Sequence, residues 1–521
     1  MVKICEIEKG IVIVGGGTAG WSTALNFWQK INDVKIHVVA SKELPIIGVG
    51  ESTTGQFNDL MKYDGSFDEL DFLAVTGSTF KFGIKHTDWH TIGESFTSPL
   101  GDNVNNKTLK PSFSYDFYRF YHVANKLPWR GLQSRLMLNH KLPFLNIEKD
   151  GPYSIDPFKN QFGEIKFFDN FHHAYHLDTF KVGKYIKEKL LLQHRVSYTD
   201  DIVTDVNVNE DGFLKSIITK NNQEIEGDLF VDCTGFKRLL VDKLEDNNFV
   251  SYENELLVNS ALTFHIENNK NTIINNYTEV TAKKYGWLWD IPLQHRKGMG
   301  YVFDDNYINA DEAQDEIEKD LGIKIDPQSV IKFTPGRMEK FWTKNVISTG
   351  LSSAFLEPLE ATSIHMTILQ INHFIENYFT HNLVFDEFQI DNYNKDIATT
   401  WDDLKDFILL HYQTPRNDTE FWVDASSRRS DRLNSLMKLW KTRMPRDKDY
   451  EANTHLFYNL GNTLWVQILM GMKLLDSEIA KEELKAFGLW EWIEDVYKKR
   501  TAFELYVLDR ACDNNNFYRP L

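Results

Sequence analysis

Ile11-Val12-Ile13-Val14-Gly15-Gly16-Gly17-Thr18-Ala19-Gly20 is the stretch that decides the fold. Four β-branched residues in a row, with no polar alternation, read as a strand buried on both faces, as in parallel sheets. The glycines follow at once in G-x-G-x-x-G spacing. Trp21–Lys30 then has a helical pattern, and Val34–Val39 reads as a second strand. Strand, glycine turn, helix and strand in one unit form the setting in which this spacing marks a dinucleotide site. Gly15 permits the tight turn, Gly17 lets backbone amides approach a pyrophosphate, and Gly20 lets the helix pack close on its strand. Thr18 and Ala19 lie between them, where the helix N-terminus supplies positive potential. The acid expected about 20 residues on, for the ribose hydroxyls, is replaced by Ala40, leaving Ser41 or Glu43 as substitutes.

Working outward, the chain has 521 residues, too many for one simple domain on length alone, with 42% hydrophobic and 26% charged residues. That is ordinary globular composition. The formal charge of −17 argues against nucleic acid or an anionic membrane as the main partner. Three distant cysteines, Cys5, Cys233 and Cys512, exclude a disulfide framework and a zinc site, and make a cytoplasmic setting the expectation. No signal peptide and no run of roughly 18–20 apolar residues is visible. Aromatic residues make up 13% of the chain, divided evenly at this point between packing and function. Residues 101–165 mix polar turns with aromatics and read as an insertion, while helical patterns such as Leu404–Leu410 and Thr463–Leu475 dominate from about 364. The expected organisation is a nucleotide-binding core over 1–380 and a helical substrate region over 381–521 packed on it.

Asp228-Leu229-Phe230-Val231-Asp232-Cys233-Thr234-Gly235 is a second apolar strand running into a small-residue turn. Such a strand returns to the cofactor in flavoproteins with two dinucleotide motifs, so Asp232 or the turn backbone is expected there. With the glycine turn it points to FAD rather than NAD. Gly286-Trp287-Leu288-Trp289-Asp290-Ile291-Pro292 is the most specific segment. Its two tryptophans, at i and i+2 of an extended strand, share a face. Taken alone they would be a packing ridge.

The segment resembles the W-x-W-x-I-P motif of the flavin-dependent halogenases, the tryptophan halogenase family. Other stretches are similar to that family in the same order over roughly residues 10–425. Phe80-Lys81-Phe82-Gly83-Ile84-Lys85 resembles the stretch with its essential lysine, and Gly48-Val49-Gly50-Glu51-Ser52-Thr53 resembles a glycine–glutamate loop. Gly350-Leu351-Ser352-Ser353-Ala354-Phe355-Leu356-Glu357-Pro358-Leu359-Glu360-Ala361-Thr362-Ser363 resembles the flavin- and halide-binding segment. His411-Tyr412 and Phe421-Trp422 echo a further, less specific pattern.

The resemblance implies an α/β flavoprotein in which reduced FAD, O₂ and halide yield hypohalous acid that halogenates an electron-rich aromatic. Lys81 and Glu360 take the catalytic roles. Gly15, Gly17, Thr18, Ala19, Gly20, Ala40, Gly50, Glu51, Asp232, Gly350 and Leu351 would border the cofactor. Thr362 and Ser363 would hold the halide at a helix start, with Pro358 near the first helical turn. Ser363 stands where the family pattern has Gly, which leaves the preferred halide open. Trp287 and Trp289 would form a wall between flavin and substrate. Glu357 reads equally as a structural carboxylate. His172, His173 and His176 lie in a segment similar to the family's rather than in a metal site. The implied partners are a separate flavin reductase and a free small aromatic, such as tryptophan, another indole or a phenol, and a homo-oligomer is compatible with the chain. An aromatic monooxygenase shares the glycine turn and Asp228–Gly235, but does not require W-x-W-x-I-P together with Lys81.

Overall fold

The computed structural model describes residues 2–44, 48, 50–101, 116–145, 172–244, 248–450 and 461–518. It divides into two compact units, each gathered from three separated segments: 1–66, 177–254 and 333–402, and 67–176, 255–332 and 403–521. The division expected at 380/381 therefore does not match these units. Strands far apart in sequence pair with one another, and that pairing sets the units.

The first unit is built on a six-stranded sheet in the order Val196–Asp200, Ile36–Ala40, Ile11–Val14, Leu229–Asp232, Val346–Ser348, Trp342–Thr343. The first five run parallel and the last closes the edge antiparallel. Ile11–Val14 sits third and is buried on both faces, which is why its sequence does not alternate. Val12, Val14 and Phe230 pack against Val203, Leu214 and Ile217 of a three-stranded meander on one face. The helices Thr18–Lys30, Thr179–Leu191 and Thr362–Asn377 belong to the same unit. Phe27 meets Phe374 edge-on at 6.4 Å between ring centroids.

The second unit holds a seven-stranded sheet ordered Pro327–Lys332, Ser260–Glu267, Arg296–Phe303, Gly286–Pro292, Thr278–Ala282, Gly83–Thr87, Ser95–Pro99. Neighbours are antiparallel except Thr278–Ala282 with Gly83–Thr87. On one face Leu288, Met299, Tyr301 and Phe303 pack against Ala313 and Ile317 of the helix Ala310–Leu321, which opens on an Asn309–Glu312 capping box. The strand period of two then places Trp287 and Trp289 on the opposite face. The helices from Glu420–Ser427 to Asn514–Tyr518 make the C-terminal part mainly helical, as expected. Phe117, Tyr118 and Phe120 of the helix Asp116–Ala124 pack with Val466, Leu484 and Ile493, so this part of the expected insertion joins the C-terminal helices. The rest of it, 102–115 and 146–165, lies outside the described residues.

Candidate active site

In the first unit the glycine turn, the turn after Asp232 and the turn at Gly350 all follow the carboxyl ends of parallel strands, where open α/β sheets bind ligands. Gly15 has φ +128°, and a Cβ on it would lie 2.2 Å from the Cys233 carbonyl oxygen. A Cβ on Gly20 would lie 2.0 Å from the Gly15 carbonyl oxygen. Only glycine allows this helix to start so close to its strand. A Cβ on Gly350 would stand 2.8 Å from that of Ala19, so two segments singled out separately in the sequence meet here. The helix Thr18–Lys30 opens at Gly17 with no side-chain cap and no acidic residue in its first turn. Uncapped amides of this kind suit a pyrophosphate, and the residues fit a dinucleotide.

Asp232 accepts at Oδ1 from the amide and hydroxyl of Thr234, and at Oδ2 from the amides of Leu240 and Val241, 2.7–3.1 Å away. Its carboxylate therefore shapes its own turn. Ala40 turns its methyl towards Gly16, while its carbonyl accepts from Tyr198 Oη at 3.0 Å and Asp201 N at 3.2 Å. Neither proposed substitute is drawn in, since Ser41 caps the amide of Glu43 and Glu43 pairs with Lys220 at 2.9 Å.

Glu51 sits beside the helix start and accepts from Thr18 Oγ1 at 3.2 Å. Desolvation lifts its carboxyl to about 7 against the opposing pull of Thr18. A carboxyl that keeps its proton near neutrality can stand beside an anion without repelling it.

Glu360 (φ 65°, ψ 7°) and Ala361 (φ 57°, ψ 38°) are both left-handed. For residues with a Cβ this costs roughly 1–2 kcal/mol each. The strain turns the chain so that Thr362 opens the buried helix Thr362–Asn377, again without a side-chain cap or an acidic first turn. Uncapped amides of this kind suit a small anion. Pro358 precedes a 3₁₀ turn at Leu359–Ala361 and so lies just before the helix. One turn on, buried His365 shares a hydrogen bond between its Nδ1 and Thr54 Oγ1 at 2.7 Å, and desolvation lowers its pKa to about 3. It is neutral at any working pH.

In the second unit Lys81 is fully buried on the strand Thr79–Lys81, which pairs with Ala174–Leu177. Thr79 shares the Lys81 face and bonds both His176 Nδ1 at 3.0 Å and the Pro292 carbonyl at 2.6 Å. Since the Thr79 hydroxyl donates to Pro292, it accepts from His176 Nδ1–H. His176 Nε2 then accepts from Thr278 Oγ1 at 3.0 Å. Burial, helped by the charge of Lys81, holds His176 far below the usual imidazole range and so in this neutral form. The chain Thr278, His176, Thr79, Pro292 ties the Lys81 strand to the end of the W-x-W-x-I-P strand. On the other face Glu69 Oε1 takes His173 Nε2 at 2.6 Å and the Tyr175 hydroxyl, under Phe80. His173 and His176 thus have protein partners of their own.

Trp287 and Trp289 lie 6.1 Å apart between ring centroids, inclined by 57°. A Cβ on Gly300, across the ladder, would come within 2.2 Å of the Trp289 indole, so that glycine forms the slot for the ring. Trp287 packs on Trp89, which in turn meets Tyr412 and Trp422. The Thr414 hydroxyl donates to the Trp89 carbonyl at 2.8 Å, and Trp422 Nε1 donates to the Lys283 carbonyl at 2.7 Å. The fainter pattern at 411–422 therefore serves to brace the tryptophan strand. Glu69, Thr79, Thr278 and Gly300 escaped the sequence reading. Each acquires its role from a partner far away in the chain.

A glycine turn on a parallel sheet, two helix starts without side-chain caps and a buried lysine strand tied to W-x-W-x-I-P are compatible with a flavin-dependent enzyme. The family profile described as "Tryptophan halogenase" matches residues 10–484. The tryptophan 6-halogenase ThaL of Streptomyces albogriseolus is 30% identical over 84% of this chain and 82% of its own length. The tryptophan 7-halogenase RebH of Lentzea aerocolonigenes is 27% identical over 87% and 85%. The solved structure of BrvH, a flavin-dependent halogenase from a Brevundimonas species, superposes with a TM-score of 0.80 at 28% identity, covering 98% of both chains. This chain belongs to the tryptophan halogenase family and is a flavin-dependent halogenase. No helix among the described residues is long and apolar enough to cross a membrane.

Proposed function

We propose that the flavin is FAD, that it arrives reduced from a separate reductase, and that chloride, bromide or iodide is transferred to an electron-rich arene. Tryptophan, another indole and a phenol are the candidate substrates. The observation that carries this reading is the burial of Lys81 on a strand bound through Thr79 to the Pro292 carbonyl. Reduced flavin with O₂ supplies the oxidising power that turns halide into hypohalous acid. The Gly15–Gly20 turn and the uncapped helix at Gly17 bind the pyrophosphate, beside Glu51, whose carboxyl is raised to about 7 and so repels it less than an ordinary carboxylate would. The amides at Thr362 and Ser363 hold the halide.

The Lys81 ammonium donates a hydrogen bond to the oxygen of hypohalous acid and fixes its halogen towards the ring. As the ring carbon takes the halogen, the oxygen leaves as water with a proton from Lys81 Nζ. The Glu360 carboxylate takes the proton of the arenium carbon, and solvent restores the proton on Lys81. Trp287 and Trp289 screen the ring from direct oxygen transfer, which favours halogenation over hydroxylation. The three cysteines are free thiols, which suits a reducing cytoplasm.

The test is a panel of indoles and phenols incubated with reductase, NADH, FAD and either chloride or bromide. Products should carry the halogen supplied, with bromide giving the bromine doublet in the mass spectrum. A product gaining only oxygen under every halide would convert the reading to an aromatic monooxygenase.

A further inference from the structure

The C-terminal tail reaches the strand that carries Lys81. Thr79–Lys81 is at the edge of its small sheet, with Ala174–Leu177 as its one strand neighbour among the described residues. On an edge strand every second amide points away from that neighbour and needs another acceptor. Here the Phe80 amide donates to the phenolic oxygen of Tyr518 at 2.7 Å. The rings of Phe517 and Tyr518 also pack on Phe80, with centroids 5.7 and 6.3 Å away.

The tail is anchored on its approach. Ala511–Asp513 pairs with Lys141–Leu145, Asn514 N donates to the His140 carbonyl at 2.9 Å, and Asn515 Oδ1 accepts from Ile274 N at 2.8 Å. Burial pushes the Tyr518 phenol up, so its oxygen remains a neutral acceptor. These residues lie beyond 484, where the family profile ends. A three-residue strand with one partner is a weak platform for a group that must be placed accurately. Phe80 is one peptide from Lys81, so what fixes the Phe80 amide fixes the Lys81 backbone.

We propose that Tyr518 is a positioning residue for Lys81, the tail closing the open edge of the lysine strand. This rests on the reading of Lys81 as the group that holds the oxidised halogen. The full chain is assayed with reductase as wild type, Tyr518→Phe, Lys81→Ala and Ile317→Ala, the last a core truncation beneath the far face of the large sheet. The readouts are product formed per flavin oxidised, KM for the arene, and melting temperature.

Tyr518→Phe, which keeps the ring and deletes the acceptor, should lower product per flavin roughly five- to tenfold with KM unchanged. Ile317→Ala should lower the melting temperature and leave that ratio intact. A wild-type ratio in Tyr518→Phe, or an equal fall in Ile317→Ala, overturns the proposal. Full product in Lys81→Ala overturns the lysine reading and this proposal with it, whereas loss in Lys81→Ala alone overturns only the role of Tyr518. Should Tyr518→Phe not fold, Phe517→Leu is read by the same ratio: a fall is expected, and a wild-type value counts against the proposal.

Discussion

Glu51 holds a proton that a surface carboxyl would have lost. Desolvation lifts it from 4.5 to about 7, so between those pH values the folded chain binds a proton that the unfolded chain has released. Stability attributable to this residue therefore declines as pH rises from 4.5 to 7 and is flat above. Urea unfolding of Glu51→Gln at pH 5 and pH 8 should show a smaller decline than wild type. Equal declines would mean that the carboxyl ionises normally. Ala40 is the complementary case, standing where the dinucleotide motif carries an acid for the ribose. Ala40→Glu should tighten FAD by about tenfold, the worth of a charge-assisted hydrogen bond. Titration of flavin fluorescence measures it, and an unchanged Kd would place the ribose elsewhere.

The elements show where local sequence is sufficient. Ile11–Val14 and its glycine turn were legible to the residue, because burial on both faces, turn and helix start are all written within ten consecutive positions. The helix begins at Thr18 rather than Trp21, since Gly17 takes the cap position. The helical pattern at Leu404–Leu410 is the end of a longer helix, Glu387–His411, whose earlier turns are too polar to stand out. Lys81 was legible only through its motif, and nothing local to Thr79 shows that it bridges His176 and Pro292. Thr79→Val keeps the shape but strands two buried polar groups. It should cost about 1–3 kcal/mol in urea unfolding and lower product per flavin. No loss in either would remove the hydrogen-bonded chain from the account.

At the scale of the molecule, the two units interleave segments from the whole chain, so a boundary drawn along the sequence could not coincide with them. The aromatic content, undecided in the sequence, divides between packing such as Trp342 among Phe374, Tyr378 and Tyr393, and the Trp287–Trp289 pair. One glycine cradle is assigned to FAD, so NADH added to the protein alone should not reduce flavin. Rapid reduction in a stopped-flow absorbance trace would contradict the need for a reductase.

The most direct measurement of the central claim is a single turnover with chemically reduced FAD, O₂ and bromide, comparing wild type with Lys81→Ala. The glycine cradle and the Thr362 helix start lie in segments remote in sequence from Lys81, so flavin should reoxidise at the wild-type rate in the variant. Brominated product should fall by about 10²–10³-fold or more, as for loss of a positioned donor. Near-normal product from Lys81→Ala would contradict the account, and loss of flavin oxidation with it would make the lysine a structural or flavin-contacting residue.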